Sequence, residues 1–356
     1  MSNSYTVRRL DALQLFRGIA ALGVVFHHAT QSVSAFSNEK MPDLLHSLFG
    51  YGYLGVDFFF VLSGFIILNS HFDDNKGIDS ARSYLLKRVL RIFPPYLPIS
   101  ILLLVSYTVF PGLSAGVRGD ISIISSLLLL PSENPPDLSV AWTLIHEMLF
   151  YIVFLLFFIG KRLFAVVACF WAIAIIYFES AIGGQISNPL FSRLFAVINL
   201  EFIMGMACGI AWKRFGERKF YGVLSLALGF ILLPVLIFLN LGEDSRAFFG
   251  IPFSFIVLGG AQLSTRSQSF IPATGILLGD ASYAIYLIHN PLQSLTSRIV
   301  RYFSTVSSWW LMLIVGVLAS VIAGIAYHKL FEKPVTRYLR SRTRGRLAPS
   351  SPAKSL

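Results

Sequence analysis

Ten separate apolar stretches, each of membrane-crossing length, run through this chain at 12–31, 49–69, 92–111, 140–160, 163–179, 193–212, 220–240, 248–264, 276–297 and 309–330. A helix of about 20 apolar residues crosses the hydrocarbon core of a bilayer. Inside hydrocarbon every backbone N–H and C=O must be bonded within the protein, which leaves helices or closed barrels. Continuous apolar runs of this length fit helices, so the expected fold is all-α and polytopic, with about ten transmembrane helices. Composition agrees: 55% of the 356 residues are hydrophobic and only 13% are charged, against about 25% charged in soluble domains. These values exclude a soluble cytosolic enzyme, a disordered chain and a collagen-like chain. The two cysteines, Cys169 and Cys208, both lie in apolar runs, so neither a disulfide framework nor a metal site is expected. The segment 121–131 is too short to cross and reads as a re-entrant or interfacial helix.

An even number of spans puts both termini on one side. With the N-terminus inside, cytoplasmic segments hold 21 of the 29 Lys and Arg residues, while the outer loops hold five: Lys40, Arg118, Arg246, Arg298 and Arg301. That bias orients the chain with both termini cytoplasmic. It also accounts for the net charge of +11 without nucleic acid as a partner. Arg17, His27 and His28 interrupt the first apolar run, which therefore reads as a retained helix and not an export signal. Residues 1–338 are expected to form one transmembrane domain. The basic, Pro- and Ser-containing stretch 339–356 is expected to be a disordered cytoplasmic tail.

Ionisable groups within spans are costly and mark candidate sites. At about 1.5 Å rise per residue, His28, Asp57, Glu147 and His289 all fall in the outer half of the membrane. A carboxylate can orient an imidazole and stabilise its protonated form, as general-base catalysis at a hydroxyl requires. Structural polar contacts between helices are the competing reading. Eleven residues separate Arg17 from His28, about 20° from whole turns, so the two share a helix face while His27 points about 80° away. A cation near the inner end and an imidazole near the outer end suit a long substrate lying across the bilayer. Arg17 taken alone reads as a side chain snorkelling to headgroups.

On the cytoplasmic side, Lys87, Arg88 and Arg91 precede Pro94-Pro95 and would share a helix face able to grip phosphate. Positive-inside flanking charge explains them as well. Thr143, Glu147 and Tyr151 follow one helix face, as do Ser282, Tyr286 and His289. Together with Trp142, these hydroxyl and aromatic residues read either as packing or as a substrate wall.

Six motifs in order resemble the acyltransferase-3 family of integral membrane O-acyltransferases. Arg17 and His28 are similar to its Arg-x10-His signature. Gly55-Val56-Asp57-Phe58-Phe59-Phe60-Val61-Leu62-Ser63-Gly64 resembles its second motif, and Lys87-Arg88-x-x-Arg91 its basic motif. Trp142-Thr143-Leu144-x-x-Glu147-x-x-Phe150-Tyr151, Ser282-Tyr283-x-x-Tyr286-Leu287-x-His289 and Phe331-Glu332-Lys333-Pro334 resemble the remaining three. The wording is most similar to bacterial exopolysaccharide-production acetyltransferases. His146 stands where that pattern has an aromatic residue.

The resemblance implies transfer of an acyl group, usually acetyl, from cytoplasmic acetyl-CoA to a sugar hydroxyl of a glycan or lipid-linked precursor. The enzyme would sit in the inner membrane as a multi-pass protein, beside polysaccharide-assembly proteins. Lys87, Arg88 and Arg91 would hold the donor's phosphates, and Arg17 would line the donor path. His28 would act as general base or carry the acyl group transiently, with Glu147, Asp57 and His289 orienting or polarising. Trp142, Tyr151, Ser282 and Tyr286 would contact substrate. Two other classes fit ten spans with buried charge: a transporter or flippase of a lipid-linked sugar or other anion, and a membrane scaffold. No inverted repeat is visible to favour the transporter.

The charge bias sets a first test. A cysteine placed at Ser341 should escape labelling by an impermeant thiol reagent in intact cells and label after permeabilisation. Strong labelling in intact cells overturns the orientation.

Overall fold

The computed structural model describes residues 10–110, 121–216, 218–239, 243–263, 271–303 and 308–347. Both chain ends and the loop cations Arg8, Arg9, Arg118 and Arg266 lie outside them. The elements are α1 (Asp11–Phe36), α2 (Asp43–Gly50), a 3-10 turn (Tyr51–Tyr53), α3 (Leu54–His71), α4 (Ile78–Val109), α5 (Ile123–Leu128), α6 (Ala141–Phe154), α7 (Leu156–Ile159), α8 (Lys161–Ile182), α9 (Pro189–Leu194), α10 (Asn199–Phe215), α11 (Lys219–Leu239), a 3-10 helix (Glu243–Phe249), α12 (Gly250–Leu263), α13 (Ala273–Phe303), α14 (Trp309–Tyr327), a π turn (His328–Glu332) and α15 (Lys333–Leu347). No strand occurs among the described residues.

Nine helical stretches among the described residues are long and apolar enough to cross a membrane. The ninth of the ten expected spans is missing from that set, yet it forms a continuous helix, α13, of 31 residues. It fails on composition and not on length. Asp280, Ser282, His289, Asn290 and Gln293 lower its apolar content, and four of its buried side chains are polar: Ser282, His289, Gln293 and Ser297.

The chain divides into two compact units. One comprises the chain up to Phe72 together with Val197–Ile325; the other comprises Asp73–Ala196 and everything from Ala326 on. In the first unit glycines set the helix spacing. A Cβ on Gly279 would lie 2.0 Å from the Gln14 carbonyl oxygen, and one on Gly18 would lie 2.9 Å from Leu278 Cβ. Helices α1 and α13 therefore run parallel with their backbones nearly touching. Gly52 meets Gly23 and Gly55 meets Ala20, so α3 runs antiparallel to α1. Gly64 and Gly205 bring α3 and α10 together in parallel, and Gly229 meets Pro252 and Ile256 where α11 and α12 pair antiparallel. These directions are those that alternating spans numbered one, two, six, seven, eight and nine must have. Small residues suit such contacts because lipid leaves little hydrophobic drive between helices, so close packing carries the association.

In the second unit an aromatic cluster of Tyr84, Phe154, Phe157, Phe158 and Phe164 joins α4 to α6, α7 and α8. Outward side chains such as Phe170 and Ile173 of α8 and, in the first unit, Ile231 and Phe238 of α11 are exposed, as a lipid-facing surface requires.

Two expectations need correction. The basic segment does not end at Pro94-Pro95: α4 continues for 32 residues through Pro94, Pro95 and Pro98. Each proline removes one donor, which frees the carbonyls of Leu90, Arg91 and Pro94; the helix is also fastened from its side, where the Tyr327 hydroxyl donates to the Pro95 carbonyl at 2.8 Å. The tail expected to be disordered from residue 339 is helical through Leu347, as the end of α15, while 348–356 lie outside the described residues. The short segment 121–131 contributes only the six-residue α5, closed by Leu129 in the left-handed conformation at φ 54°.

The α1–α13 contact predicts a specific glycine dependence. Gly279→Ala should destabilise the protein by about 1–3 kcal/mol through overpacking, read as an earlier melt in detergent. Gly50→Ala, where an added Cβ meets nothing within 4 Å, should melt with the wild type.

Candidate active site

Helices α1 and α13 carry the first cluster. Arg17 Nη2 donates to Ser282 Oγ at 2.9 Å and Nη1 donates to Gln14 Oε1 at 2.9 Å. Further along the same seam, His28 Nδ1 and His289 Nε2 are 3.2 Å apart. His289 is fully buried. Gln293 donates to the Val25 carbonyl at 2.9 Å and ties the two helices together beside the imidazoles. The Tyr286 ring lies 5.6 Å from that of His289, with Phe59 of α3 beyond it.

Carbonyl partners fix the tautomers. His289 Nδ1 faces the Ile285 carbonyl at 3.2 Å, and His28 Nδ1 faces the Val24 carbonyl at 3.1 Å. A carbonyl only accepts, so both Nδ1 atoms carry their protons. His289 Nε2 is then a lone-pair acceptor and takes the second bond from His28 Nδ1–H. The lone pair of His28 is left on Nε2. His27 differs: its Nδ1 donates to the Gly50 carbonyl at 2.7 Å, and its Nε2 accepts from Gln31 Nε2 at 3.0 Å. Both of its nitrogens are engaged.

Asp57 does not join the histidines. Its carboxylate, fully buried, receives Arg246 Nε and Nη2 at 2.9 and 3.1 Å. Arg246 comes from the turn before α12 and also lies 5.5 Å over the Tyr53 ring. That ring is 5.8 Å from His27. Glu201 of α10 is wholly buried and lies within electrostatic reach of Asp57 and Arg246. Spacing along the sequence gave no signal for this pair, because Asp57 and Arg246 are 189 residues apart.

The second unit holds the other cluster. Arg88 is only 8% exposed, and its guanidinium lies 5.5 and 5.6 Å from the rings of Tyr84 and Tyr151, which meet each other edge-on at 6.3 Å. The Tyr151 hydroxyl donates to Glu147. Arg91 lies within electrostatic reach of Tyr151 as well. Thus Glu147, expected beside a histidine, is placed with the basic motif. Lys87, four residues before Arg91 on the same helix, is exposed. Trp142 packs edge-on against His146 at 5.8 Å. Sequence reading missed Gln14, Tyr53, Arg246 and Tyr84; of these, Gln14 and Tyr84 stand three and four residues before Arg17 and Arg88 and were findable by helical spacing.

An all-helical, membrane-spanning scaffold with an imidazole pair in one unit and a tyrosine-flanked guanidinium in the other defines a membrane-embedded enzyme of group transfer. Residues 10–328 match the family described as acyltransferase domain, the acyltransferase-3 family, and the chain belongs to it; it is an acyltransferase. It is 28% identical over 325 residues to the exopolysaccharide production protein ExoZ of Rhizobium meliloti (strain 1021), covering 83% of this chain and 92% of that protein. It is 26% identical to acyltransferase MdmB of Streptomyces mycarofaciens, covering 96% of each. Against the peptidoglycan O-acetyltransferase OatA of Listeria monocytogenes it is 24% identical, covering 94% of this chain and 57% of that protein. No solved structure matches the chain.

The Asp57–Arg246 pair has a stability consequence. Arg246→Ala strands a buried carboxylate and should cost about 2 kcal/mol, below the usual 3–5 for a fully buried pair because Arg246 is 32% exposed. The double variant Asp57→Asn with Arg246→Gln should melt later than Arg246→Ala alone, since no unpaired charge remains. An equal or earlier melt overturns the pairing's importance.

Proposed function

We propose that this acyltransferase moves an acetyl group from cytoplasmic acetyl-CoA to a sugar hydroxyl of an exported polysaccharide or its lipid-linked precursor. The observation that carries this reading is the imidazole pair, which leaves His28 Nε2 as a lone-pair nitrogen held in one orientation. The names of the relatives support the product class, one in exopolysaccharide production and one a peptidoglycan O-acetyltransferase. The charge bias supports cytoplasmic placement of the segment before Arg91 and of both termini.

On this reading His28 Nε2 accepts the acceptor's hydroxyl proton as the oxygen attacks the thioester carbonyl. The C–S bond then breaks, and the thiolate leaves with the proton that His28 returns. The products are the sugar acetyl ester and free CoA, with His28 regenerated. His289 acts as a positioning residue: it holds the His28 tautomer and shares the charge on the imidazolium that forms. Arg17, held by Ser282 and Gln14, lines the donor path. Arg88 and Arg91 bind donor phosphate, with Lys87 contributing from the exposed side. Asp57 anchors the Arg246 turn and takes no part in proton transfer. Tyr286 and Trp142 form apolar walls for the substrates.

Purified protein in liposomes, supplied with acetyl-CoA and a glycan acceptor, tests the function directly. His28→Ala should lower turnover by about 10²–10⁴-fold. His27→Ala should be much milder, because both of its nitrogens are already bonded. Equal loss from the two at equal protein levels overturns the assignment of the base. Arg88→Ala with Arg91→Ala should raise the KM for acetyl-CoA by at least about tenfold, and Lys should rescue only partly because it lacks the planar fork. An unchanged KM with correct insertion leaves these residues as topology signals alone.

A further inference from the structure

Towards the C-terminal end of α1, two backbone-fixed bonds set the orientation of an exposed amide. The Gly50 carbonyl accepts from His27 Nδ1 at 2.7 Å, so His27 Nε2 carries only a lone pair. Gln31 Nε2 lies 3.0 Å from that nitrogen and is therefore the donor. The amide is thus held with its nitrogen on His27 and its oxygen directed away. Among the described residues no protein group bonds Gln31 Oε1, and one N–H of the amide is left over as well. Gln31 stands one turn beyond the half-buried His28, about 4.5 Å along the axis and about 60° around it. Polar residues at the end of a span are ordinary where they face the lipid interface. Gln31 is turned elsewhere. It lies only about 40° around α1 from His27, and His27 faces the Tyr51–Tyr53 turn. The His27 ring is 5.8 Å from that of Tyr53, and its Cβ lies 3.2 Å from where a Cβ on Gly52 would stand. Holding His27 uses one N–H of the amide and leaves the other end of the fork unused.

An amide set in this way presents an acceptor oxygen and a donor N–H side by side. Two neighbouring hydroxyls of a sugar ring match it: one donates to Oε1, and the oxygen of the other accepts from Nε2–H. The amide is uncharged, so its fork suits neutral hydroxyls better than a phosphate or a carboxylate, which call for a guanidinium. We propose that Gln31 is an acceptor-binding residue, reading a hydroxyl pair next to the hydroxyl that attacks at His28. His27 is its positioning residue, since the His27 tautomer decides which end of the amide faces the sugar. This rests on the acetyl-transfer reading above and adds the acceptor specificity of the same site.

Acetyl transfer is measured for the full chain in liposomes, with acetyl-CoA as donor. The acceptors are the methyl glycosides of glucose, galactose and mannose and their monodeoxy forms, with a bacterial polysaccharide alongside. Gln31→Met keeps the length of the side chain and removes the amide. It should lower kcat/KM for the preferred glycoside by about tenfold and leave KM for acetyl-CoA within about twofold. Wild type should lose a similar factor on the deoxy form that lacks a recognised hydroxyl, and Gln31→Met should lose nothing further on that form. His27→Ala frees the amide to turn over and should raise KM for the glycoside while leaving that for acetyl-CoA unchanged. Equal kcat/KM in wild type and Gln31→Met overturns the inference and leaves the transfer reading standing. A variant that still discriminates against the deoxy forms as wild type does assigns Gln31 a structural role and overturns it too. Transfer by wild type to the polysaccharide but to none of the glycosides shows that a hydroxyl pair is not what the site reads, and overturns the inference alone. Wild type that acetylates neither removes the transfer reading itself, and the inference with it.

Discussion

The near-contact of α1 and α13 is the constraint on which the imidazole pair depends. Water drives soluble helices together, but in a bilayer the surrounding lipid is as apolar as leucine, so association rests on packing and polar bonds. Gly18 and Gly279 remove the side chains that would hold the backbones apart. Only then can side chains of ordinary length meet across the seam. Arg17 and His28 are eleven residues apart on α1, while their partners Ser282 and His289 are seven apart on α13. The difference of four residues, about 6 Å along the axis, is taken up by side-chain reach, chiefly that of arginine. Gln293 then bonds to the α1 backbone, so the seam is polar at three heights.

Burial also explains why His28, the base of the proposed mechanism, is backed by a second imidazole and not by a carboxylate. A carboxylate inside a span needs a partner to offset its desolvation. Asp57 has one in Arg246, and a carboxylate held bidentately by a guanidinium has little left for an imidazole. A neutral imidazole costs less to bury and still presents one lone pair and one N–H. With both Nδ1 protons assigned by carbonyls of their own helices, the direction of the His28–His289 bond follows without any buried charge. In the proposed mechanism the charged state exists only while His28 holds the acceptor's proton.

Hydropathy located the spans because the bilayer demands long apolar helices, and helical spacing found the face shared by Arg17 and His28 and the face shared by Ser282, Tyr286 and His289. Height along the membrane normal was less informative than it looked. At fixed rise per residue, Asp57, Glu147, His28 and His289 reach similar depths, but depth carries no azimuth. Asp57 therefore went to Arg246 and Glu147 to Tyr151, in different units. Arg246 was illegible because it comes from the turn before α12, with no local pattern pointing to α3. The α4 prolines misled in the opposite direction, since proline stops isolated helices more reliably than packed ones. The tail misled because its composition is that of disorder, while its packing on α4 is a tertiary fact.

Positive-inside bias and ligand binding make different demands on a cation, and the basic motif shows both. A topology charge needs only to stay in water on the correct side, as exposed Lys87 does. Arg88 is withdrawn from solvent against two tyrosine rings, one of which is anchored to Glu147. Desolvating a guanidinium costs several kcal/mol unless rings, carboxylates or a bound anion offset it, and orientation would be served equally well by a residue left in solvent. A planar, weakly hydrated guanidinium suits stacking, and an ammonium does not. The rings of Tyr84 and Tyr151 are 6.3 Å apart and nearly perpendicular, so both cover the guanidinium from one side. The aromatic neighbours thus favour a guanidinium over an ammonium at this position.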